Sequence, residues 1–158
     1  RRRGFQLSRL ISGMHFMRDT SHKRKAGYRI TTDCSLINLD AICQLIEQHA
    51  YWGDRPTDVT RRAFRSPSSI VFAALESGGA TVGCARVVTD HCTIGWVCDV
   101  IVHPDHRGRG VGSQLMRAVL EHAELAKMRL ILGTRDAHEF YRRFGFERRE
   151  MMRRPMSL

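Results

Sequence analysis

A strand-to-helix junction in the second half of the chain constrains the fold more than any other stretch. Residues 99–113 read as the end of a buried strand, a turn broken by Pro104, and a glycine-rich basic loop that opens a helix. Backbone N–H groups at a helix start lack intrahelical partners, and the helix dipole there favours negative charge. Glycines allow a ligand to approach the backbone closely, and arginines suit phosphate oxygens. The loop residues concerned are Arg107, Gly108, Arg109, Gly110, Val111, Gly112 and Ser113.

We interpret this loop as a pyrophosphate-binding site, and the residues present exclude two common phosphate loops. A P-loop needs a lysine and then a serine or threonine after its last glycine, and no such run occurs. A dinucleotide-binding fingerprint needs a third glycine where Ser113 stands, and an acid ending the next strand, which ends in Gly133 and Thr134. The remaining pattern is Arg-x-x-Gly-x-Gly over 107–112, for which an ordinary helix-starting loop is the alternative.

The net charge of +10 is concentrated at one end of the chain. Residues 1–27 contain eight Lys or Arg against one acid, which leaves +3 for the other 131 residues. We interpret 1–27 as a basic, disordered N-terminal extension, and 28–158 as a single domain large enough to bury a core. The mildly basic body suits one polyanionic ligand, and a nucleic-acid binder that uses the basic tail is a less favoured alternative.

The five cysteines bear on compartment and metal binding. Their number is odd and no Cys-x-x-Cys pair occurs, which favours a reducing, cytoplasmic setting. The spacing of His91, Cys92, Cys98 and His103 matches no usual zinc pattern, so no metal site is expected. No apolar run reaches the roughly 18 residues that a membrane-spanning helix needs, so no membrane partner is expected.

The hydrophobic periodicity predicts a mixed sheet flanked by helices. Strands are expected at 28–32, 70–75, 80–89, 93–102, 129–132 and 146–151, and helices at 33–49, 57–64, 111–126 and 137–144. The expected helix caps are Asp33 or Ser35, Thr57 and Asp136, with Gly145 ending the last helix. An antiparallel meander followed by crossover helices gives the α/β class, with a mixed α+β sheet.

The predicted strand at 93–102 carries one charge among apolar residues. Strict alternation places Ile94, Trp96, Cys98, Val100 and Val102 together on one core-facing side. Asp99 then lies on the opposite side, and both sides are expected to be buried.

Several motifs together resemble the GNAT superfamily of CoA-dependent N-acetyltransferases. The Arg-x-x-Gly-x-Gly loop directly follows Val102-His103-Pro104, and the run Ala-His-Glu-Phe-Tyr-Arg-Arg-Phe-Gly-Phe at 137–146 is similar to a later helix of that family. A narrower resemblance, to small and poorly assigned bacterial members, rests on Tyr51-Trp52, Asp99-Val100 and the runs at 85–90 and 134–137. The resemblance covers about residues 28–154.

The resemblance implies the GNAT-like acyl-CoA N-acyltransferase fold, in which one parallel strand pair splays apart in a mostly antiparallel sheet. It implies acetyl-CoA as the donor, with the pyrophosphate on the 107–113 loop. The backbone of Val100, Ile101 and Val102 would pair with the pantetheine arm as with an added strand. Thr134 stands where the family often has Asn, and its hydroxyl can bond to the same cofactor.

Two residues are the candidate catalytic groups. Tyr141 matches the position of an acid that protonates the departing CoA thiolate, and a phenol with an ordinary pKa of about 10 stays protonated at neutral pH. The alternative for Tyr141 is a half-buried aromatic.

Asp99 is the candidate base, because a buried carboxylate is costly unless it is paired or used. A structural acid bonded to backbone or Arg86 is an equally weighted alternative. Glu76, Asp90, His91 and His103 are weaker candidates, and proton loss through water needs no dedicated base.

The sequence thus predicts an N-acetyltransferase that moves an acetyl group from acetyl-CoA to a primary amine of a small molecule or peptide by direct attack in a ternary complex. An acetyl-CoA-binding regulatory domain without turnover is the main alternative. Tyr51 and Trp52 are expected either to line the acceptor side or to pack in the core. The short stretch after Phe146 leaves room for a wall supplied by a second subunit, so a homodimer is a further expectation.

Overall fold

The computed structural model describes residues 27–52, 55–152 and 154. Five strands occur in that part of the chain: β1 (Tyr28–Thr31), β2 (Ser69–Glu76), β3 (Thr81–Thr89), β4 (Ile94–Val102) and β5 (Arg129–Leu132). They are accompanied by the helices α1 (Leu39–His49), α2 (Thr57–Phe64), α3 (Val111–Glu121) and α4 (His138–Arg142), and by a 3-10 turn at Pro104–His106. The predicted basic extension lies outside the described residues, except for Gly27.

The strands form one sheet in the order β1-β2-β3-β4-β5. The first four pair antiparallel, because short turns join β2 to β3 and β3 to β4. β5 returns through the crossover helix α3 and pairs parallel to β4. The predicted mixed sheet, mostly antiparallel with one parallel pair, is confirmed.

Apolar clusters cover both faces of the sheet. On one face α3 buries Val111, Leu115, Met116 and Val119 against the side chains of β2, β3 and β4. On the other face α1 and α2 bury Ile42, Ile46 and Phe64 against Cys84 and Ile101. The apolar side chains of α1 and α3 recur three and four positions apart, which is why these segments form amphipathic helices over a sheet.

The N-termini of α1 and α2 differ from the predicted caps. The side chain of Asn38 accepts hydrogen bonds from the backbone N–H of Asp40 at 3.0 Å and of Ala41 at 3.1 Å, so α1 begins at Leu39. Asp33 instead accepts from the N–H of Ser35 at 2.9 Å within the preceding turn. No side chain caps α2; Thr57 is its first helical residue and Pro56 precedes it.

The later helices are shorter than predicted. α3 ends at Glu121 because His122 takes extended backbone angles and packs its ring on Phe72, with 5.5 Å between centroids. Asp136 does not cap α4. α4 ends at Arg142, before the predicted end at Phe144, while Gly145 has the expected positive φ, +81°, and donates its N–H to the Arg142 carbonyl.

The predicted strand at 146–151 is wrong, since no strand occurs in the described residues after β5. The run 147–150 is Glu-Arg-Arg-Glu and offers no alternating apolar side chains for a sheet face. Its charges pair locally instead, with Arg149 and Glu147 at 2.6 Å.

The predicted single apolar face of β4 is also wrong. The register with β3 shifts between Cys84, opposite Ile101, and Arg86, opposite Cys98, so β4 has one extra residue there. This bulge reverses the alternation. Val100 packs with the core on the α3 side of the sheet. Trp96 and Ile94 lie on the other side, with exposed fractions of 40% and 39%.

Candidate functional site

The carboxyl-terminal half of β4 has a free edge. Parallel pairing with β5 runs from Ile94 opposite Arg129 only as far as Val97 opposite Leu132. β4 itself continues to Val102, paired with β3 on its other side. Among the described residues, no strand pairs with 98–102 on the β5 side, so backbone groups there can accept an added extended segment. Of the three residues predicted to do so, Ile101 is buried, while Val100 and Val102 are half-buried.

The glycine-rich loop follows this edge directly. Gly108 and Gly110 have φ of +72° and +84°, values that residues with a Cβ rarely adopt. Gly110 precedes α3 and no side chain caps the helix, so its first N–H groups remain available to an anion. Arg107 donates from Nε to the Val102 carbonyl at 3.0 Å, which ties the loop to the strand end. That bond occupies one of the carbonyl groups predicted to contact the donor.

Gly112 brings a third element to the same place. A Cβ there would lie 3.4 Å from Cζ of Phe140 and 3.8 Å from Cγ2 of Val102, so the start of α3 packs closely against α4 and the end of β4. Phe140 in turn contacts the ring of Tyr141 at 5.0 Å between centroids. The predicted donor loop and the predicted catalytic tyrosine therefore belong to one corner of the molecule.

Tyr141 holds its proton firmly. Burial, with smaller contributions from Tyr51 and Asp136, raises the pKa of Tyr141 to about 12. Its hydroxyl has no hydrogen-bond partner among the residues that the structure describes. The phenol is therefore a protonated donor over the whole neutral range, free to bond to a ligand.

Thr134 helps to start α4. Its Oγ1 accepts the backbone N–H of Ala137 at 3.0 Å, four residues before Tyr141. The predicted contact between this hydroxyl and a cofactor can then use only its hydrogen and its remaining lone pair.

Asp99 sits in the β4 bulge with an unusual backbone. Its φ is +50°, and its carboxylate bonds to Arg86 Nε at 2.7 Å and to an Arg55 nitrogen at 3.2 Å. Arg86 also bonds to Ser69, and Arg55 to Thr60. Both carboxylate oxygens are thus engaged by cations in a buried setting, which favours the structural reading of Asp99 over the base.

The segment between α1 and α2 contributes two aromatic residues to the candidate acceptor side. The rings of Tyr51 and Trp52 meet edge to face, with 4.6 Å between centroids. Cζ of Arg135, from the segment before α4, lies 4.2 Å from the centroid of the Tyr51 ring. Tyr51 is 56% exposed, so it is not a core residue, whereas Trp52 is half-buried.

Sequence reasoning found the loop, the strand end and Tyr141, and the structure brings these together. It named Arg86 only as an alternative partner of Asp99, and missed Arg55, Phe140 and Arg135. The one available signal for Phe140 was its place beside Tyr141 in the motif; nothing local marks Arg55 or Arg135.

Of the four weaker base candidates, Asp90 and His91 are bonded around the turn before β4 and Glu76 ends β2, whereas His103 directly follows the end of β4. His91 bonds to Glu124 at 2.8 Å and to the Pro67 carbonyl at 2.9 Å, and Asp90 caps its own turn through Thr93.

Among the described residues, no three His, Cys, Asp or Glu side chains gather as a metal-ligand set. None of the described helices is both long and apolar enough to cross a bilayer.

Comparisons with known proteins agree with this geometry. The model of the acetyltransferase (GNAT) domain family matches residues 67–148, which include the free edge, the glycine-rich loop and α4. A crystal structure of a GNAT-family protein from Xanthomonas campestris pv. campestris is 34% identical, with a TM-score of 0.75, covering 82% of this chain and 93% of that one.

Two further matches are more distant. An uncharacterized N-acetyltransferase of Porphyra purpurea is 28% identical over 120 residues, which is 73% of this chain and 67% of the relative. AAC(6')-Iy, solved with the bisubstrate analogue CoA-S-monomethyl-acetylneamine, shares the fold at 20% identity and a TM-score of 0.58, covering 75% and 92% of the two chains. With the family model spanning more than half of its length, the chain belongs to the GNAT family of acetyltransferases.

Proposed function

We propose that this protein transfers an acetyl group from acetyl-CoA to a primary amine of a small molecule or peptide, by direct attack in a ternary complex. The observation that carries the proposal is the corner where the free edge of β4, the uncapped start of α3 and Tyr141 meet. An extended ligand with an anionic end and a reactive tip fits those three features together.

The donor's extended arm suits the strand edge. The pantetheine arm contains amide groups, which can pair with the backbone of 98–102 as a strand would. The loop then supplies N–H groups of Gly112 and Ser113 and the guanidinium groups of Arg107 and Arg109 to the pyrophosphate. Acetyl-CoA brings the activated thioester; the protein holds it in place.

The departing sulfur of CoA needs a hydrogen-bond donor. When the amine nitrogen bonds to the acetyl carbon and the carbon–sulfur bond breaks, negative charge develops on sulfur. The Tyr141 hydroxyl, whose pKa burial raises to about 12, retains its proton until then and can donate a hydrogen bond to that sulfur.

The amine needs to lose a proton before it attacks. Asp99 would have to give up its bonds to Arg86 and Arg55 to accept one. We therefore assign proton removal to solvent, and to Asp99 the role of holding the bulge and the adjacent strand edge.

Direct attack is favoured over an acyl-enzyme by the state of the nearby thiol. Cys98 lies on β4 at the beginning of the free edge, and burial raises the pKa of its thiol to about 11. The thiolate is the nucleophile in acyl-cysteine chemistry, and little of it is present at neutral pH.

The test combines donor binding with turnover. Calorimetric titration with CoA measures the donor site, and release of free thiol from acetyl-CoA measures transfer to polyamines, aminoglycosides, amino acids and peptides. CoA binding with amine-dependent thiol release supports the proposal. CoA binding without release for any amine points to the regulatory alternative, and failure to bind CoA contradicts both.

A further inference from the structure

The contact between Arg135 and Tyr51 joins two segments across the candidate acceptor side. Cζ of Arg135 lies 4.2 Å from the ring centroid of Tyr51, the distance of a stacked cation–π pair. Tyr51 is itself packed edge to face on Trp52. The guanidinium of Arg135 is therefore placed over the face of an aromatic pair, in a solvent-exposed position.

Stacking leaves the hydrogen-bonding edge of the guanidinium open. A guanidinium that lies flat on a ring still directs its N–H donors outward in its own plane, where they match the two oxygens of a carboxylate. No carboxylate of the described residues lies within the 4.0 Å of an ion pair with Arg135, unlike Arg142 in the following helix, which pairs with Glu139 at 2.6 Å.

Asp99 faces two guanidinium groups, those of Arg86 and Arg55, so these three side chains together carry a net charge of +1. The side chain of Arg55 is 24% exposed and belongs to the same segment as Tyr51. A polycationic acceptor would be repelled by this charge, whereas an anionic group on the acceptor would be attracted.

The amine end of an acceptor also has a complementary group. Asp136 follows Arg135 directly, and after burial it and Tyr51 contribute to raising the pKa of the Tyr141 phenol. Adjacent opposite charges of this kind suit a molecule that carries both an ammonium and a carboxylate.

We infer that the acceptor is an amine that also carries a carboxylate, such as an amino acid or a peptide with a nearby acidic group, and that Arg135, placed over the Tyr51 ring, binds that carboxylate. This inference rests on the proposed acetyltransferase function and names the substrate class for the same site. Arg135 acts as a specificity-determining residue; it takes no part in breaking the thioester.

The test compares matched acceptors that differ in the carboxylate alone. Phenylalanine, its amide and phenethylamine form one set, lysine, its amide and cadaverine another, and an aminoglycoside serves as a polycationic amine. Thiol release from acetyl-CoA gives kcat and KM for the wild-type chain, for Arg135→Gln and Arg135→Lys, and for Arg142→Gln as a matched control on an arginine that is already paired.

The expected result has three parts. The wild-type protein prefers the free carboxylate in at least one set. Arg135→Gln lowers kcat/KM for that acceptor by about tenfold or more, through KM, because a charge-assisted hydrogen bond is lost. Its effect on the matching amide is small. Arg135→Lys recovers part of the loss, since it restores charge without the planar fork, and Arg142→Gln behaves as the wild type.

Three outcomes overturn the inference while leaving the proposed function intact: amides or plain amines being acetylated as well as the acids, Arg135→Gln changing all acceptors equally, or turnover only of amines without a carboxylate. CoA binding with no turnover of any carboxylate-bearing amine also overturns it. Failure to bind CoA, measured by calorimetry, removes the proposed function and with it this inference.

Discussion

Nε of Arg86 lies 2.7 Å from Oδ2 of Asp99, across the bulge that separates the paired half of β4 from its free half. Asp99 has φ +50°, a left-handed conformation that costs a residue with a Cβ roughly 1–2 kcal/mol. The ion pair and the second bond from Arg55 stabilise that conformation. A charge pair that sequence alone could assign to catalysis therefore holds the strand edge in shape.

Replacing Asp99 by Asn should destabilise the fold. The substitution leaves Arg86 buried without its counter-charge, and breaking one partner of a buried ion pair costs about 3 kcal/mol or more. We expect a lower denaturant midpoint in chemical unfolding, and weaker CoA binding because the strand edge distorts. Asp105→Asn is the control, since the Asp105 side chain is 82% exposed. Unchanged stability with a large loss of kcat would instead identify Asp99 as the base.

A charge placed in the glycine-rich loop should abolish donor binding. Gly110→Asp introduces a negative charge beside the site proposed for the pyrophosphate, and a loss of 1.4 kcal/mol or more weakens binding by about tenfold or more. Gly110→Asn is the matched control, because Asn has nearly the same size and tolerates the φ of +84° equally well. Calorimetric titration with CoA gives the comparison; equal affinities of the two variants would contradict the assignment of the loop.

Removing the Tyr141 hydroxyl should slow turnover without weakening the binding of CoA. General acid catalysis contributes about 100-fold or more, so we expect Tyr141→Phe to lower kcat by that order. CoA affinity should stay the same, since the Phe ring keeps the packing on Phe140. With the pKa of Tyr141 raised to about 12, ionisation of this phenol should leave the wild-type rate unaffected up to about pH 10. A wild-type rate that falls near pH 9 and a Phe variant that does not would contradict this.

Stability should depend on pH through His91. Its hydrogen bond to Glu124, and then that to the Pro67 carbonyl, raise the pKa of His91. The folded protein thus binds this proton more tightly than the unfolded chain, whose ordinary histidine pKa is about 6.5. The stabilisation is fully present below that value and is lost as pH rises through the raised pKa of the folded state.

The measurement is the difference in Tm between the wild type and His91→Asn. Asn tolerates the φ of +59° at this position, so the backbone is kept. We expect the difference to be larger at about pH 6 than at about pH 9, and Glu124→Gln to show the same trend. A difference that does not change with pH would mean that the pair contributes no charge-dependent stability.

Local patterns in the sequence were enough for the order of elements as far as α4, and the donor side of the site stays a prediction. The period-three-and-four spacing of α1 and α3 and the mixed sheet agree with the structure, whereas the strict alternation predicted for β4 and the strand predicted at 146–151 do not. Gly108, Gly110 and Tyr141 could be proposed as site residues because each requirement is local: a positive φ before a helix, or a hydroxyl next to a Gly-Phe ending. Helix ends were less accurate, since Asn38 rather than Asp33 reaches the N–H groups of α1.

The sequence by itself thus determined that a glycine-rich loop follows a buried strand, and its motifs were enough to indicate the acetyltransferase family. Only the tertiary structure decided which side chains of β4 point to which side of the sheet. A single extra residue between Cys98 and Ile101 reverses the alternation of side chains, which the sequence analysis assumed to be strict. It also decided the partners of Asp99 and the stacking of Arg135 on Tyr51. The contacts of Arg55 with Asp99 and of Arg135 with Tyr51 join residues far apart in the chain, and no local spacing encodes a contact that arises only when separate segments pack together.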